Sequence, residues 1–474
     1  MSATPYEKEI ANKASHSDII DNADVREFLS ESSYVREPST AEIESLCTLF
    51  QAVPEVQDGT LPTHIFAIDG SQYESRIDDR LPSTKVGYIK ISTIHISMDE
   101  FGALRVEEGN FVDPFRVAKL RRNKDSLLFV LPGSNVKWKG YESVRDSFRA
   151  RMDQELLKQE TRFDKDDYKT SLRSTLFYLA AMRPDKMGTG DASRIRLHKC
   201  PSCDHPDLEL EDILDAQHCP NCGKEVYPTD ALRIWEEVSD FQSNVVPMTR
   251  FMLTIEHMLP VHYLRHLLKA NFTLAQLSSI AFFLDGPLAI FGTCAWLHRP
   301  LMQFYTDVNS RLRDEGLSDV TIIGLQKTGQ LADYFGIIDQ YISNNMMLSV
   351  DDDYRYKYVI ASREPSKTGF GDETYYGQDF LYKTPSGKRF VVGLPYPFSS
   401  KRDLREGNFH DIKTELCNYP YLARAMELIR NFETDLYTNA VIPVALAHRY
   451  TAISAMPGGR VLDILSQNVF PMKK

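Results

Sequence analysis

Four cysteines stand in two tight pairs, Cys200-Pro-Ser-Cys203 and Cys219-Pro-Asn-Cys222, separated by a short loop. Two thiolate pairs at this spacing fill the tetrahedral shell that Zn2+ takes in closed structural sites. Sulfur then occupies every ligand position, so the pattern points away from catalysis and toward a brace, a DNA grip or a partner contact, the brace being the commonest of these. His198, His205 and His218 lie close by but are not needed for the shell. A second set of residues is dispersed. Asp69 closes the apolar run Ile65-Phe66-Ala67-Ile68 and precedes Gly70, and Asp285 closes Ile280–Leu284 and precedes Gly286. A run of β-formers ending in an Asp-Gly turn places its carboxylate at a strand's carboxyl end, where α/β sheets carry their chemistry. Glu256 lies in the apolar stretch Phe251–Leu259, where a carboxylate needs a cation or a partner such as Arg250. His448 ends the run Val444-Ala445-Leu446-Ala447, and Lys327 follows the run Val320–Leu325. For these two the plain alternatives are a core histidine and a solvated loop lysine. Carboxylates drawn from separate elements hold hard divalent cations, and two such cations about 4 Å apart suit phosphodiester hydrolysis. An imidazole at the rim orients water or relays its proton, and a lysine steadies a phosphate.

The elements that must position these groups alternate between β and α patterns. Ile65–Ile68 reads as a buried strand, and Tyr88–Ile96 alternates as a half-buried one, with a hairpin expected between them. Ser126–Pro132 adds another strand. Val144, Phe148, Met152 and Leu156, then Leu172, Leu176 and Leu179, keep helical spacing. Thr229-Asp230 is expected to cap a helix starting near Ala231. Residues 247–270 read as a long apolar helix that Pro260 kinks or splits. A helix around 298–314, strands at Val320–Leu325, Asp379–Lys383 and Phe390–Leu394, and helices at 419–436 and 441–454 complete the α/β pattern. Tyr419 and Tyr421 read as packing residues. The chain therefore divides into a helical N-terminal region (1–55), a first core segment (56–140), a helical insertion (141–197), a zinc ribbon (198–228) and a second core segment (229–474).

Composition narrows the class. The 474 residues carry a formal charge of −11, adverse for non-specific nucleic-acid binding, so any DNA grip must be local or supplied by a partner. Arg116, Lys119, Arg121, Arg122 and Lys124 form one candidate basic patch. No apolar stretch is long enough to span a membrane, and the N-terminus lacks the basic start and apolar centre of an export signal, so a cytoplasmic location is expected. No Gly-x-x-x-x-Gly-Lys-Ser/Thr loop occurs, which argues against an intrinsic P-loop ATPase.

The strings Ile68-Asp69-Gly70-Ser71, Phe283-Leu284-Asp285-Gly286-Pro287-Leu288, Gly324-Leu325-Gln326-Lys327 and Ala447-His448-Arg449 together resemble the motifs of the NurA nuclease family. Glu256 stands where that family has its glutamate. The cysteine module followed by Tyr227-Pro228-Thr229-Asp230-Ala231-Leu232-Arg233 is similar to a zinc-bearing bacterial branch. The likeness spans residues 62–455. The family often has a Tyr-Pro pair ahead of its final histidine; this chain has Ile442-Pro443, so no tyrosine role carries over. The resemblance implies an RNase H-like mixed sheet flanked by helices, with Mn2+ or Mg2+ held by Asp69, Glu256 and Asp285. His448 and Lys327 join these as catalytic residues. It further implies a DNA exonuclease, 5′ to 3′, with single-strand endonuclease action. Such a nuclease dimerises and works with a HerA-type hexameric ATPase in DNA end processing or anti-phage defence. The alternative is a non-catalytic adaptor that binds DNA or the ATPase through its zinc module.

Overall fold

The computed structural model describes residues 17–32, 38–56, 61–102, 124–183, 185–270, 272–360, 369–402, 409–434, 440–454 and 458–469. Its main sheet uses β1 (Gln51–Ala52), β2 (His64–Arg76), β3 (Lys85–Ser97) and β4 (Lys124–Pro132) from the first half of the chain. The second half adds β9 (Ile280–Asp285), β10 (Thr321–Gln326), β11 (Met346–Ser349), β12 (Gly377–Lys383) and β13 (Arg389–Pro395). The order across the sheet is β1-β11-β12-β13-β10-β9-β2-β3-β4. Strands β2, β3 and β4 form an antiparallel meander, while β9 is parallel to β2 and β10 is parallel to β9. A meander whose first strand is flanked by two parallel followers is the RNase H-like arrangement.

Residue alternation along these strands decides what lies on each side. Ile65, Ala67, Phe283, Ile323 and Leu325 pack beneath the helices Leu422–Phe432 and Ile442–Thr451. Ile68, Ile89, Ile91, Phe282, Leu284 and Ile322 face the other layer. That layer consists of the helices Val144–Leu157, Leu172–Ala181, Val245–Lys269 and His298–Asp314. The cysteine region adds two small hairpins, β5 (Arg194–Lys199) with β6 (Pro206–Glu211), and β7 (Gln217–His218) with β8 (Glu225–Val226). Its residues Ile195, Leu197, Leu208 and Val226 belong to the same hydrophobic cluster as the second layer. Near the N-terminus, Leu46 and Phe50 join a smaller cluster with Tyr334, Phe335 and Leu348. The outer strand β4 is blunted by side chains: Glu155 accepts the Val130 N–H at 3.4 Å, and Lys158 donates to the Leu128 carbonyl.

Three local expectations need correction. Asp69 and Gly70 do not form a turn, because β3 goes on pairing with β2 out to Arg76 after β9 has ended. Pro260 does not split its helix, which runs unbroken for 25 residues. The proline removes only the N–H that would bond the Glu256 carbonyl, and the buried neighbours Leu259, Val261 and Leu264 hold the segment in place. No α-helix starts at Ala231; two short 3-10 turns, Pro228–Leu232 and Ile234–Glu237, stand there. Arg233 between them is left-handed, with φ 56°. The Asp230 carboxylate is taken by Arg149 (2.7 and 2.8 Å) and by the Tyr227 N–H (2.9 Å). Arg116, Lys119, Arg121 and Arg122 of the basic patch lie outside the described residues, and Lys124 opens β4. Among the described residues no helix is long and apolar enough to cross a membrane.

Candidate metal centre

Register builds the centre. Ile68 pairs with Leu284, so the next residues, Asp69 and Asp285, emerge side by side where β9 stops. Both occupy the odd positions that face the Ile442–Thr451 helix, two residues on from Ala67 and Phe283. After Asp285 the chain does turn: Gly286 takes φ 112°, a conformation that favours glycine, and its N–H bonds the Leu325 carbonyl at 2.8 Å. Strand β10 lies alongside and delivers Lys327, whose Nζ donates to Asp285 Oδ2 at 2.7 Å. From the covering helix, His448 Nδ1 lies 3.1 Å from Asp69 Oδ2, and Thr451 Oγ1 donates to the same oxygen at 2.7 Å. Donor atoms of Asp69, Asp285 and His448 all lie within 4.8 Å of one another. Asp69 is buried, whereas the His448 side chain is 62 % exposed. His448 opens onto a cleft of about 930 Å³ that Asp285, Lys327 and Arg449 also line.

Glu256 approaches this centre from the opposite layer but lies outside the group of donors within 4.8 Å of one another. Its carboxylate accepts the Gly70 N–H. A Cβ at position 70 would sit 2.2 Å from Glu256 Oε1 and 2.7 Å from Met252 Cγ, so only glycine leaves the passage open. Arg250 is not the partner of Glu256; it pairs with Glu237 at 3.3 Å. Burial, followed by repulsion from Asp285, pushes the Asp69 carboxyl above its ordinary range. Burial pushes Glu256 up further, with repulsion from Asp69 and Asp285 added. Lys327 and His448 offset part of this negative charge. A divalent cation would offset more, and the hard oxygen donors with one imidazole suit Mn2+ or Mg2+. The structure thus brings Asp69, Asp285 and His448 together, with Lys327 on Asp285, and leaves Glu256 behind them, outside that donor group though near enough to repel both aspartates. Sequence reasoning missed Thr451 and the spatial role of Gly70. The signals were present: Thr451 lies three residues past His448, one helical turn on, and Gly70 directly follows Asp69.

The cysteine cluster is a separate place. The Sγ atoms of Cys200 and Cys222 are 3.9 Å apart, and those of Cys203 and Cys219 are 3.7 Å apart. Zn–S bonds of about 2.3 Å give a tetrahedron with edges of about 3.8 Å, so these sulfurs already have the spacing zinc requires. The Ser202 N–H points to Cys200 Sγ (3.4 Å) and Asn221 Nδ2 to Cys203 Sγ (3.5 Å), donors that favour thiolates.

Fold and centre define a mixed α/β protein with an acidic cluster fit for a cation and a four-cysteine cluster fit for zinc. The NurA domain matches residues 63–453, and the chain belongs to the NurA family, a nuclease-type family. A solved structure described as a crystal structure of NurA shares 10% identity, covering 92% of this chain and 95% of that one, with a TM-score of 0.25. No curated protein matches.

Proposed function

We propose that this chain is a Mn2+- or Mg2+-dependent deoxyribonuclease, an exonuclease of 5′ to 3′ polarity with single-strand endonuclease action. The convergence of Asp69, Asp285 and His448 at one end of the sheet, with Glu256 near enough to repel both aspartates, supports this reading. Asp69 and Asp285 would hold the cation, and Glu256, on the other face, would add negative charge and a further carboxylate toward it. Bound there, the cation supplies Lewis-acid polarisation of the phosphate and an acidified water. His448, with Nδ1 on Asp69, keeps Nε2 as its second nitrogen for orienting the attacking water or relaying its proton. Lys327 binds Asp285 in the free protein and exchanges it for a phosphate oxygen when DNA enters the cleft. Zn2+ on Cys200, Cys203, Cys219 and Cys222 acts as a brace.

The acidic net charge and the missing P-loop favour a partner that supplies both motor and DNA grip, a HerA-type hexameric ATPase. In this reading the nuclease is a cytoplasmic homodimer serving DNA end processing or anti-phage defence. The test is digestion of end-labelled linear DNA and of circular single strands in Mn2+, with and without EDTA and the ATPase. EDTA-sensitive cleavage is expected. Intact DNA under every condition, with or without the ATPase, refutes the nuclease and leaves an adaptor.

A further inference from the structure

Asp69 has two oxygens, yet both donors from the Ile442–Thr451 helix meet the same one. His448 Nδ1 and Thr451 Oγ1 approach Oδ2 at 3.1 and 2.7 Å. Thr451 is fully buried and so cannot touch DNA. Its hydroxyl has one proton, and the Ala447 and His448 carbonyls, each at 3.0 Å, compete for it. The carboxylate is the closer and the charged acceptor, so the proton goes there. We propose that Thr451 is a positioning residue. It pins Asp69 Oδ2 against the helix, fixes the carboxylate rotamer and presents Oδ1 to the divalent cation. This rests on the metal-centre reading given above. Hydrogen-bond partners of ligating carboxylates orient them in this way, and their loss costs about 10- to 100-fold in metal affinity.

The experiment is a Mn2+ titration of the full chain followed by electron paramagnetic resonance, without DNA. Thr451→Val keeps the shape and removes the hydroxyl, whereas Thr451→Ser keeps the hydroxyl. Thr451→Ala, which cannot overpack, is a second hydroxyl-free variant should the valine protein fail to fold. Mn2+ affinity is expected to fall about 10- to 100-fold in Thr451→Val and Thr451→Ala and to be restored in Thr451→Ser. Melting temperature should stay near wild type, and KM for DNA should change less than kcat. Wild-type affinity in a hydroxyl-free variant overturns the role of Thr451, as does a serine variant as weak as the valine one. A wild-type chain that binds no Mn2+ overturns the metal centre itself.

Discussion

The molecule carries two ion-competent clusters built on opposite plans. The ribbon takes four like ligands from residues 200–222, and their sulfurs surround the space meant for zinc. The acidic centre gathers unlike donors, Asp69 from β2, Asp285 from β9 and His448 from one helix, and it opens onto a cleft. A closed shell of soft ligands can only hold. An open set of hard donors, with burial raising Asp69 and Glu256, would under the proposed function both bind a cation and react. Local ligands make a brace; ligands gathered from afar make a centre that exists only in the finished fold.

The largest effect should come from Asp69→Ala or Asp285→Ala. Cation assistance is worth several kcal/mol, so cleavage should drop about 10³-fold or more. Zinc content by metal analysis should stay unchanged, and loss of zinc in either variant would merge the two clusters into one unit. The converse change is Cys219→Ser, at a buried ligand. The wild-type chain should carry about one zinc, most of it absent from the variant. Thermal unfolding should occur at lower temperature while residual activity tracks the folded fraction. Selective loss of DNA binding in a well-folded Cys219→Ser protein would give the ribbon a contact role.

A smaller effect is expected for Gly70→Ala, whose methyl group would displace Glu256 and Met252. Overpacking of this kind costs about 1–3 kcal/mol, measurable by urea denaturation, and Mn2+ binding should weaken with it. Wild-type stability and affinity would remove Glu256 from the centre. Acidity separates the clusters most gently. Protons compete with the cation for Asp69 and Glu256, whose carboxyls are held above their usual range. Mn2+ affinity should therefore decline as pH falls from neutral into the mildly acidic range, earlier than for ordinary carboxylates. Zinc should stay bound over the same interval, as simultaneous metal analysis would show.

Legibility in the sequence followed the same division. The ribbon could be read from spacing alone because its ligands are neighbours. Asp285 was equally plain, since an apolar run, a carboxylate and a glycine with positive φ coincide there. Asp69 carries the same local signature but not the same backbone, because long-range pairing with β3 overrides the turn tendency of Asp-Gly. Glu256 was recognisable as a carboxylate out of place in an apolar helix. Its partner, the Gly70 N–H, belongs to another element and leaves no trace in the spacing. The misread helix at Ala231 has a similar cause: the Asp230 carboxylate caps only a 3-10 turn, through the Tyr227 N–H, and is otherwise held by Arg149, across 81 positions of chain.

Gly70 has a consequence for how the protein comes to life. Lacking a side chain, it leaves room for Glu256 against β2, a place Glu256 takes only once the 25-residue helix has docked on that face. A half-folded chain can bring Asp69 beside Asp285 yet still lacks the third carboxylate. Under the proposed function, the capacity to cut would need that docking as well as the pairing of β2 with β9.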